Sequence, residues 1–432
     1  MLSFAIYTLG CKVNAFESES YSFALRSEGF EEVDFLQAAD IYIINTCAVT
    51  NTAAAKSRQK INQALKQNPR ALICVIGCLI QTGDDSILNN PKISVLIGSD
   101  QKQKLLPIIK EALSDRQRHN LSSAIDHPLQ FENLKIENFH HQTRAYLKIQ
   151  DGCNQFCTYC IIPYARGRER SMPKKEVLEH AARFIENGHK EIVLAGIHTG
   201  RYGRDQGTDL NELLTELTAY QLKRLRLSSI EINEVTDDII KLFQEQPCLA
   251  RHLHIPLQAG SDRILQLMRR PYDTEYYAER LTYIRSKIPG IAISTDIIAG
   301  FPTETDIEFQ STLNFARDMG FSFIHAFPFS RRDGTKAALF NPQISESDKK
   351  QRIHELLNLS GQLTDEYQIS LVGKRVEVIF ESFKNGLCFG HSSEYVPVYI
   401  KSNADLRRKM YNVRVINYQN KMLIGNLEEE IK

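Results

Sequence analysis

The stretch DGCNQFCTYCIIP places Cys153, Cys157 and Cys160 in a C-x3-C-x2-C spacing within one short loop. Three thiolates on such a loop can hold three irons of a [4Fe–4S] cluster and leave the fourth iron open. An open iron can chelate the amino and carboxylate groups of S-adenosylmethionine. That holds the sulfonium beside a one-electron donor, which can cleave it to a 5′-deoxyadenosyl radical. The rival readings fit less well. A ferredoxin run would add another cysteine before a proline, whereas Ile161, Ile162 and Pro163 follow here. A zinc site needs a fourth nitrogen or sulfur ligand, and no local histidine supplies one.

Three further cysteines each close an apolar run: Cys11 in TLGC, Cys47 in INTC and Cys78 in VIGC. If the runs are strands of an open parallel sheet, their C-terminal ends share one edge, where such sheets bind ligands. The expectation is a second three-thiolate site, again with one iron free. Cys74 lies inside the strand-like LICVIG, and Cys248 and Cys388 have no partners in view. These three read as small buried hydrophobes.

The elements that must position these thiols follow from hydrophobic periodicity. Residues 1–113 alternate short buried strands (FAIYTL, IYIINT, LICVIG, ISVLIG) with amphipathic stretches such as NTAAAKSRQKINQALKQ. This alternation predicts an α/β domain with an open, flavodoxin-like parallel sheet. Residues 114–141 lose the period and read as a linker. From 142 to 370 six candidate strands recur: AYLKIQ, EIVLAG, LRLSSIEI, HLHIPLQ, IAISTDIIAG and FSFIHAFPF. Six β/α units predict a partial, TIM-like barrel with its chemistry at the C-terminal strand ends. Those ends offer Gly196, Glu231, Gln258, Asp296 and Gly300 to S-adenosylmethionine, with Tyr159 of the cysteine loop against its adenine. Residues 371–432 change texture to short strands with turns, a small β-barrel pattern.

Composition bounds the rest. The 432 residues exceed one ordinary core, and 42% apolar with 24% charged residues describes a globular protein of two or three domains. The net charge of +1 confines any nucleic-acid surface to a local patch. Nine cysteines, odd in number and unevenly placed, favour metal or catalysis in a reducing compartment over disulfides. No apolar run approaches the roughly 18 residues of a membrane span, and no basic-then-apolar leader is present, so a cytoplasmic location without a membrane partner is expected. The basic patch falls in residues 371–427, where nine Lys/Arg face four acids. Lys374, Arg375, Lys401, Arg407, Arg408 and Lys409 are its RNA-binding candidates, with interleaved Phe383, Phe389, Tyr395, Tyr399 and Tyr411 for stacking. Arg331 and Arg332, after the last barrel strand, are further candidates. The terminal Glu428–Glu430 reads as a solvated tail, and Arg166, Arg168 and Arg170 as charges near cluster, cofactor or phosphate.

TLGCKVNAFESE, INTCAVTNTAAAKSRQKI, VIGCL, YLKIQDGCNQFCTYCIIPYARGRERS and LHIPLQAGSDRILQLMRRPY together resemble the MiaB-like radical-SAM methylthiotransferases. The resemblance spans essentially the whole chain, including a TRAM-like C-terminal domain. Lys12, Val13 and Asn14 after TLGC are most similar to the MtaB subgroup, which acts on N6-threonylcarbamoyladenosine next to the tRNA anticodon. The resemblance implies two [4Fe–4S] clusters, the radical-generating one on Cys153, Cys157 and Cys160 and a sulfur-carrying one on Cys11, Cys47 and Cys78. It implies S-adenosylmethionine as both methyl donor and radical source, a tRNA substrate and a separate one-electron donor. Where the superfamily often shows Gly-Gly-Glu after its second strand, this chain has AGIHTG. Two alternatives stay open: a methylthiotransferase for another tRNA adenosine or a ribosomal-protein side chain, and an iron–sulfur nucleic-acid-binding protein without catalysis.

Overall fold

A computed structural model describes residues 1–125, 129–139 and 142–431. Strands β1 (Ser3–Thr8), β2 (Glu31–Glu32), β3 (Ile41–Thr46), β4 (Leu72–Gly77), β5 (Val95–Ile97) and β6 (His119–Asn120) form one sheet in the order β2-β1-β3-β4-β5-β6. All its pairs are parallel. This is the flavodoxin-like winding, in which the strand order reverses between β1 and β3. Every residue of β3 and β4 is buried, because helices cover both faces, and hence the unbroken Ile/Val runs. The helix Asn51–Gln67 shows the local logic: Thr50 caps its first turn by accepting from the Ala53 amide, and Ala54, Ser57, Ile61 and Ala64 form its buried stripe.

β7 (Arg144–Lys148) starts the second unit. A short antiparallel ladder of β8 (Gln150–Asp151) and β9 (Arg170–Ser171) follows it and pins both ends of the cysteine loop. β10 (Glu191–Ala195), β11 (Arg224–Leu227), β12 (His252–His254), β13 (Ala292–Ala299) and β14 (Phe323–Pro328) complete six parallel strands in chain order. Bridges at Leu225–Leu249 and Ser229–His254 join the two halves. No pairing closes β14 onto β7 among the described residues, so the barrel is partial, as expected. Helix Lys12–Ser27 packs along β7, and helix Glu346–Ile369 covers β14.

The third unit is a closed barrel of β15 (Arg375–Lys384), β16 (Leu387–Ser392), β17 (Pro397–Lys401), β18 (Met410–Gln419) and β19 (Met422–Glu430). It has its own core, including Val378, Phe380, Val398 and Val413. It docks through two buried arginines. Glu191 holds Arg224 and Arg226 at 3.1 and 2.7 Å, and both donate to backbone carbonyls of residues 377, 391, 392 and 393.

Two expectations change. Residues 114–141 are no free linker: His119–Asn120 is the sixth sheet strand, and Leu134, Ile136 and Phe139 are buried in the core that the sheet shares with the partial barrel. An extended segment can bury isolated apolar side chains without any helical period, which is why the sequence pattern missed it. Residues 126–128 and 140–141 of that stretch lie outside the described residues. Nor is Glu428–Glu430 a solvated tail. It belongs to β19, where Glu428 meets Arg375 and Arg414, Glu429 meets Arg375, and Glu430 accepts from the Tyr411 hydroxyl.

Candidate active site

The first three cysteines sit where the winding rule puts them. Cys11 follows β1 and precedes the helix Lys12–Ser27, Cys47 follows β3, and Cys78 follows β4. β1 and β3 flank the switch point of the sheet, the place where such sheets hold ligands. Asn14 ties the loops together: its side-chain amide donates to the carbonyls of Leu9 and Thr46 at 2.6 and 3.1 Å. Thr46 in turn donates to the Ile76 carbonyl and accepts from the Leu79 amide. The loops also touch at Gly10, where φ is +99° and a Cβ would stand 2.9 Å from the Cys47 Cβ. Burial, with the neighbouring Cys78 and Cys11 thiols, pushes the Cys47 thiol up to about 12. Loading iron therefore has to displace a tightly held proton.

The second trio lies on the loop bracketed by β8 and β9. The Cys153 amide donates to the Gly167 carbonyl and the Cys160 amide to the Cys157 carbonyl, at 3.1 and 3.0 Å. Gly152 makes this geometry available, since its φ is +71° and a Cβ would lie 2.0 Å from the Arg168 carbonyl oxygen. Gly152→Ala is thus expected to displace the loop and lose iron from this trio while the other trio keeps its own. Iron content of the reconstituted variant, read beside its circular dichroism, checks this.

Cationic donors face the sulfurs. Arg270 reaches Cys157 Sγ at 3.3 Å and is itself held by Glu231 and the Tyr272 hydroxyl. His198 Nδ1 lies 3.4 Å from Cys153 Sγ, with its other nitrogen 3.0 Å from Glu234. On the sheet side, Arg166 Nε stands 3.3 Å from Cys78 Sγ. Donors of this kind stabilise thiolate sulfur and tune iron–sulfur clusters.

A cavity of about 220 Å³ opens between the two cysteine-bearing edges, lined by Val49, Tyr159, Cys160, Gln258, Asp296 and Phe327 among others. Three of the expected cofactor contacts, Tyr159, Gln258 and Asp296, meet here. The other three are engaged elsewhere. Glu231 anchors Arg270, and Gly300 makes the turn after β13, with its amide on Glu304 and its α-carbon against Lys349. Gly196 packs on Gln150 and Thr199.

The RNA-binding candidates divide. Lys374, Lys401, Arg408 and Lys409 are exposed on the C-terminal barrel. Arg375 is committed to Glu428 and Glu429, and Arg407 to Asp405. Arg332 donates to the Ala48 carbonyl and to Asn51, so it clamps the loop after Cys47 to the partial barrel, whereas Arg331 is exposed. Tyr395 is no stacking surface, because it packs between Arg144 and Arg226 at the domain junction. Arg166 and Arg170 are buried in ion pairs with Asp151, and Arg168 lies over the Phe156 ring. Cys74 and Cys388 are buried as read. The sequence did not mark Asn14, His198, Glu234 and Arg270 as site residues, although Asn14 lies in TLGCKVNAFESE, His198 in AGIHTG and Arg270 in LHIPLQAGSDRILQLMRRPY.

The comparisons with known proteins agree with this geometry. The family described as "Radical SAM superfamily" matches residues 147–316, and "Uncharacterized protein family UPF0004" matches residues 3–98. A Bacillus subtilis (strain 168) relative, "Threonylcarbamoyladenosine tRNA methylthiotransferase MtaB", is 41% identical over 100% of this chain and 98% of its own. A relative of the same name from Aquifex aeolicus (strain VF5) is 36% identical over 87% and 92%. A "tRNA-2-methylthio-N(6)-dimethylallyladenosine synthase" from Thermodesulfovibrio yellowstonii is 33% identical over 98% of both. Among solved structures, the radical S-adenosylmethionine methyltransferase TsrM from Kitasatospora setae, with cobalamin and a [4Fe-4S] cluster bound, superposes with a TM-score of 0.58. It is 12% identical, over 90% of this chain and 77% of that one, and so bears on the fold alone. An iron–sulfur cluster and S-adenosylmethionine are the cofactors that the superfamily match brings with it. With these matches spanning its whole length, the chain belongs to the radical-SAM tRNA methylthiotransferases, in the group of the MtaB-named enzymes.

Proposed function

We propose that this enzyme methylthiolates C2 of N6-threonylcarbamoyladenosine next to the anticodon of tRNA, giving the 2-methylthio derivative, using two [4Fe–4S] clusters. The observation that carries the reading is the cavity shared by the Cys47 loop, through Val49 and Thr50, and the barrel loop, through Tyr159 and Cys160. A substrate carbon held there has one cysteine trio on each side. Bound clusters and S-adenosylmethionine supply the radical that removes the C2 hydrogen, the sulfur that replaces it and the methyl group that caps the sulfur. No side-chain acid or base opens such a C–H bond, so the division of labour is forced.

The chain's own residues bind, orient and exclude water. Cys153, Cys157 and Cys160 would hold one cluster and Cys11, Cys47 and Cys78 the other, three thiolates for four irons in each case. Tyr159, Gln258 and Asp296 line the S-adenosylmethionine side of the cavity, while Ile161, Ile298 and Phe329 keep it apolar. Exposed Lys374, Lys401, Arg408 and Lys409 offer contacts to RNA phosphates. A cluster held by the barrel trio would need a separate one-electron donor, and the tRNA substrate puts the work in the cytoplasm. No helix among the described residues is long and apolar enough to cross a membrane.

The test is mass spectrometry of tRNA nucleosides from a strain lacking the gene, then restored with wild type or with Cys11→Ala. The expected result is loss of 2-methylthio-N6-threonylcarbamoyladenosine, recovered by wild type alone. An unchanged nucleoside profile sinks the target assignment. A loss confined to the methylthio-dimethylallyl nucleoside would transfer it to the other tRNA adenosine.

A further inference from the structure

A second cavity, of about 250 Å³, lies where the partial barrel meets the closed one. Ser294 of β13 and Phe323 and His325 of β14 line it from the partial barrel. Gln368 comes from the helix Glu346–Ile369, and Glu394 from the turn between β16 and β17. Strand register sets this space beside the reaction cavity. Ser294 pairs with Phe323 and both line the second cavity, whereas Ile298 pairs with Phe327 and both line the reaction cavity. The pair between them, Asp296 and His325, contributes one residue to each. Residues two apart on a strand stand roughly 7 Å apart. Adjacent bases of one RNA strand can therefore enter the two spaces.

Three side chains on this second cavity are more than nine-tenths buried, yet each keeps a polar atom without a partner. Gln368 Oε1, Glu394 Oε2 and His252 Nδ1, on residues 4%, 9% and 5% exposed, have no hydrogen bond among the described residues. An unpaired polar atom in an interior is costly, and folded proteins hold few of them. Three on one small cavity mark a polar edge that a bound molecule completes. The edge is also held in place. His252 Nε2 lies 2.8 Å from Ser294 Oγ, and its ring packs on Tyr395. Arg226 donates to the Ser392 and Ser393 carbonyls, and the Arg251 amide donates to Ser393 Oγ at 2.9 Å, which fixes the turn that carries Glu394. Apolar surface comes from Val396, Pro397 and Phe323, and the Phe323 ring is 43% exposed.

Resting on the function proposed above, we propose that this second cavity binds the base of a nucleotide directly next to the target adenosine, with Glu394 and Gln368 accepting from its N–H groups. A carboxylate oxygen and an amide oxygen both accept, so the partner they lack is a donor. A flat heterocycle with ring or amino N–H groups supplies such donors on its edge and apolar faces for Phe323 and Val396. A phosphate or carboxylate supplies neither, and it would meet the Glu394 carboxylate. A single-stranded loop whose bases are splayed apart is the form of RNA that such a site accepts. Seating the neighbouring base here would hold the target adenosine at the reaction cavity beside Cys160.

The test uses the reconstituted full-length enzyme and three anticodon stem-loop RNAs carrying N6-threonylcarbamoyladenosine. One is complete, and the others are abasic at the nucleotide on the 5′ or the 3′ side of the target. Dissociation constants and methylthio product are measured for wild type, Gln368→Met and Glu394→Met, with iron content and thermal midpoint alongside. Wild type is expected to bind one of the abasic RNAs about tenfold or more weakly than the complete RNA. Each variant is expected to lose about tenfold on the complete RNA and to match wild type on that abasic one. Because the two oxygens have no partner in the free protein, neither substitution should lower the thermal midpoint. Equal affinity of wild type for all three RNAs, the result for a cavity that holds only water, overturns the base site while product formation leaves the proposed function standing. A variant loss of the same size on all three RNAs does likewise. So does a lowered midpoint with unchanged RNA affinity, which would assign both side chains to the domain junction alone. A wild-type enzyme that converts none of the RNAs overturns the proposed function and the base site with it.

Discussion

Replacing Cys153, Cys157 and Cys160 together by alanine is expected to abolish reductive cleavage of S-adenosylmethionine, whereas the same change at Cys11, Cys47 and Cys78 leaves cleavage in place and removes the methylthio product. Each triple variant should lose about four irons per chain and retain about four. The asymmetry follows from where the trios stand. Cys160 lies beside Tyr159, Gln258 and Asp296 in the cavity, so this trio is the one in contact with the expected cofactor pocket. The sheet trio meets the cavity only through Val49 and Thr50. Iron analysis, 5′-deoxyadenosine formation and nucleoside mass spectrometry read the three quantities separately. Cleavage surviving in the barrel variant would overturn the division of labour. Complete loss of cleavage in a folded sheet variant would do the same.

The second large effect concerns a single buried cation. Arg166 is about 1% exposed and touches four groups: Glu17 at 3.2 Å, Asp151 at 3.0 Å, Cys78 at 3.3 Å and Asn14. Glu17 also holds Lys102 and Lys148, and Asp151 holds Lys148 and Arg170. This network joins helix Lys12–Ser27, β7 and both cysteine sites. Arg166→Met fills similar volume but leaves two buried carboxylates short of a partner. The expected cost is about 3–5 kcal/mol of stability.

The pH dependence has a definite sign. Burial pushes the Glu17 carboxyl up, but Lys102, Arg166 and Lys148 together hold it well below the ordinary carboxylate range, and Asp151 is likewise held low by Arg166, Lys148 and Arg170. Their folded pKa values lie below the unfolded ones. The stabilisation is present above the unfolded range of about 4–4.5 and is lost as pH falls through the folded values. Without Arg166 those folded values rise, so the variant should begin losing stability at higher pH than wild type. Denaturant midpoints measured between neutral pH and mild acid test both statements. A variant as stable as wild type at neutral pH would remove the network from the account. Arg166→Lys should recover only part of the loss, since an ammonium cannot present the fork that meets Cys78, Asn14 and two carboxylates at once.

Much of the site was legible in the chain because its signals are local. The C-x3-C-x2-C spacing fixes which thiols share a loop by covalent geometry alone. Gly10, Gly77 and Gly152 each stand one residue before a cysteine with positive φ, at +99°, +102° and +71°, so the turn chemistry was written beside the thiols. The placement of Cys11, Cys47 and Cys78 after three neighbouring strands was also readable, at one remove. Parallel winding forces the C-terminal ends of strands to a common edge, and the cysteines mark those ends. The six strands of the partial barrel and the strands of the small closed one follow from apolar periodicity in the same way.

What only the tertiary structure decided is which partner each polar side chain meets. Arg166 reads in sequence as one of three arginines in YARGRERS; its burial between two cysteine sites depends on how the sheet docks on β7. The basic surface of residues 371–427 loses Arg375 and Arg414 to Glu428 and Glu429, because antiparallel pairing in the closed barrel brings β19 back beside them. Strand periods and cysteine spacing are properties of neighbouring residues, and the sequence carries them in full. Register, docking and the ion pairs that follow depend on distant segments folding against one another, and only the assembled chain determines them.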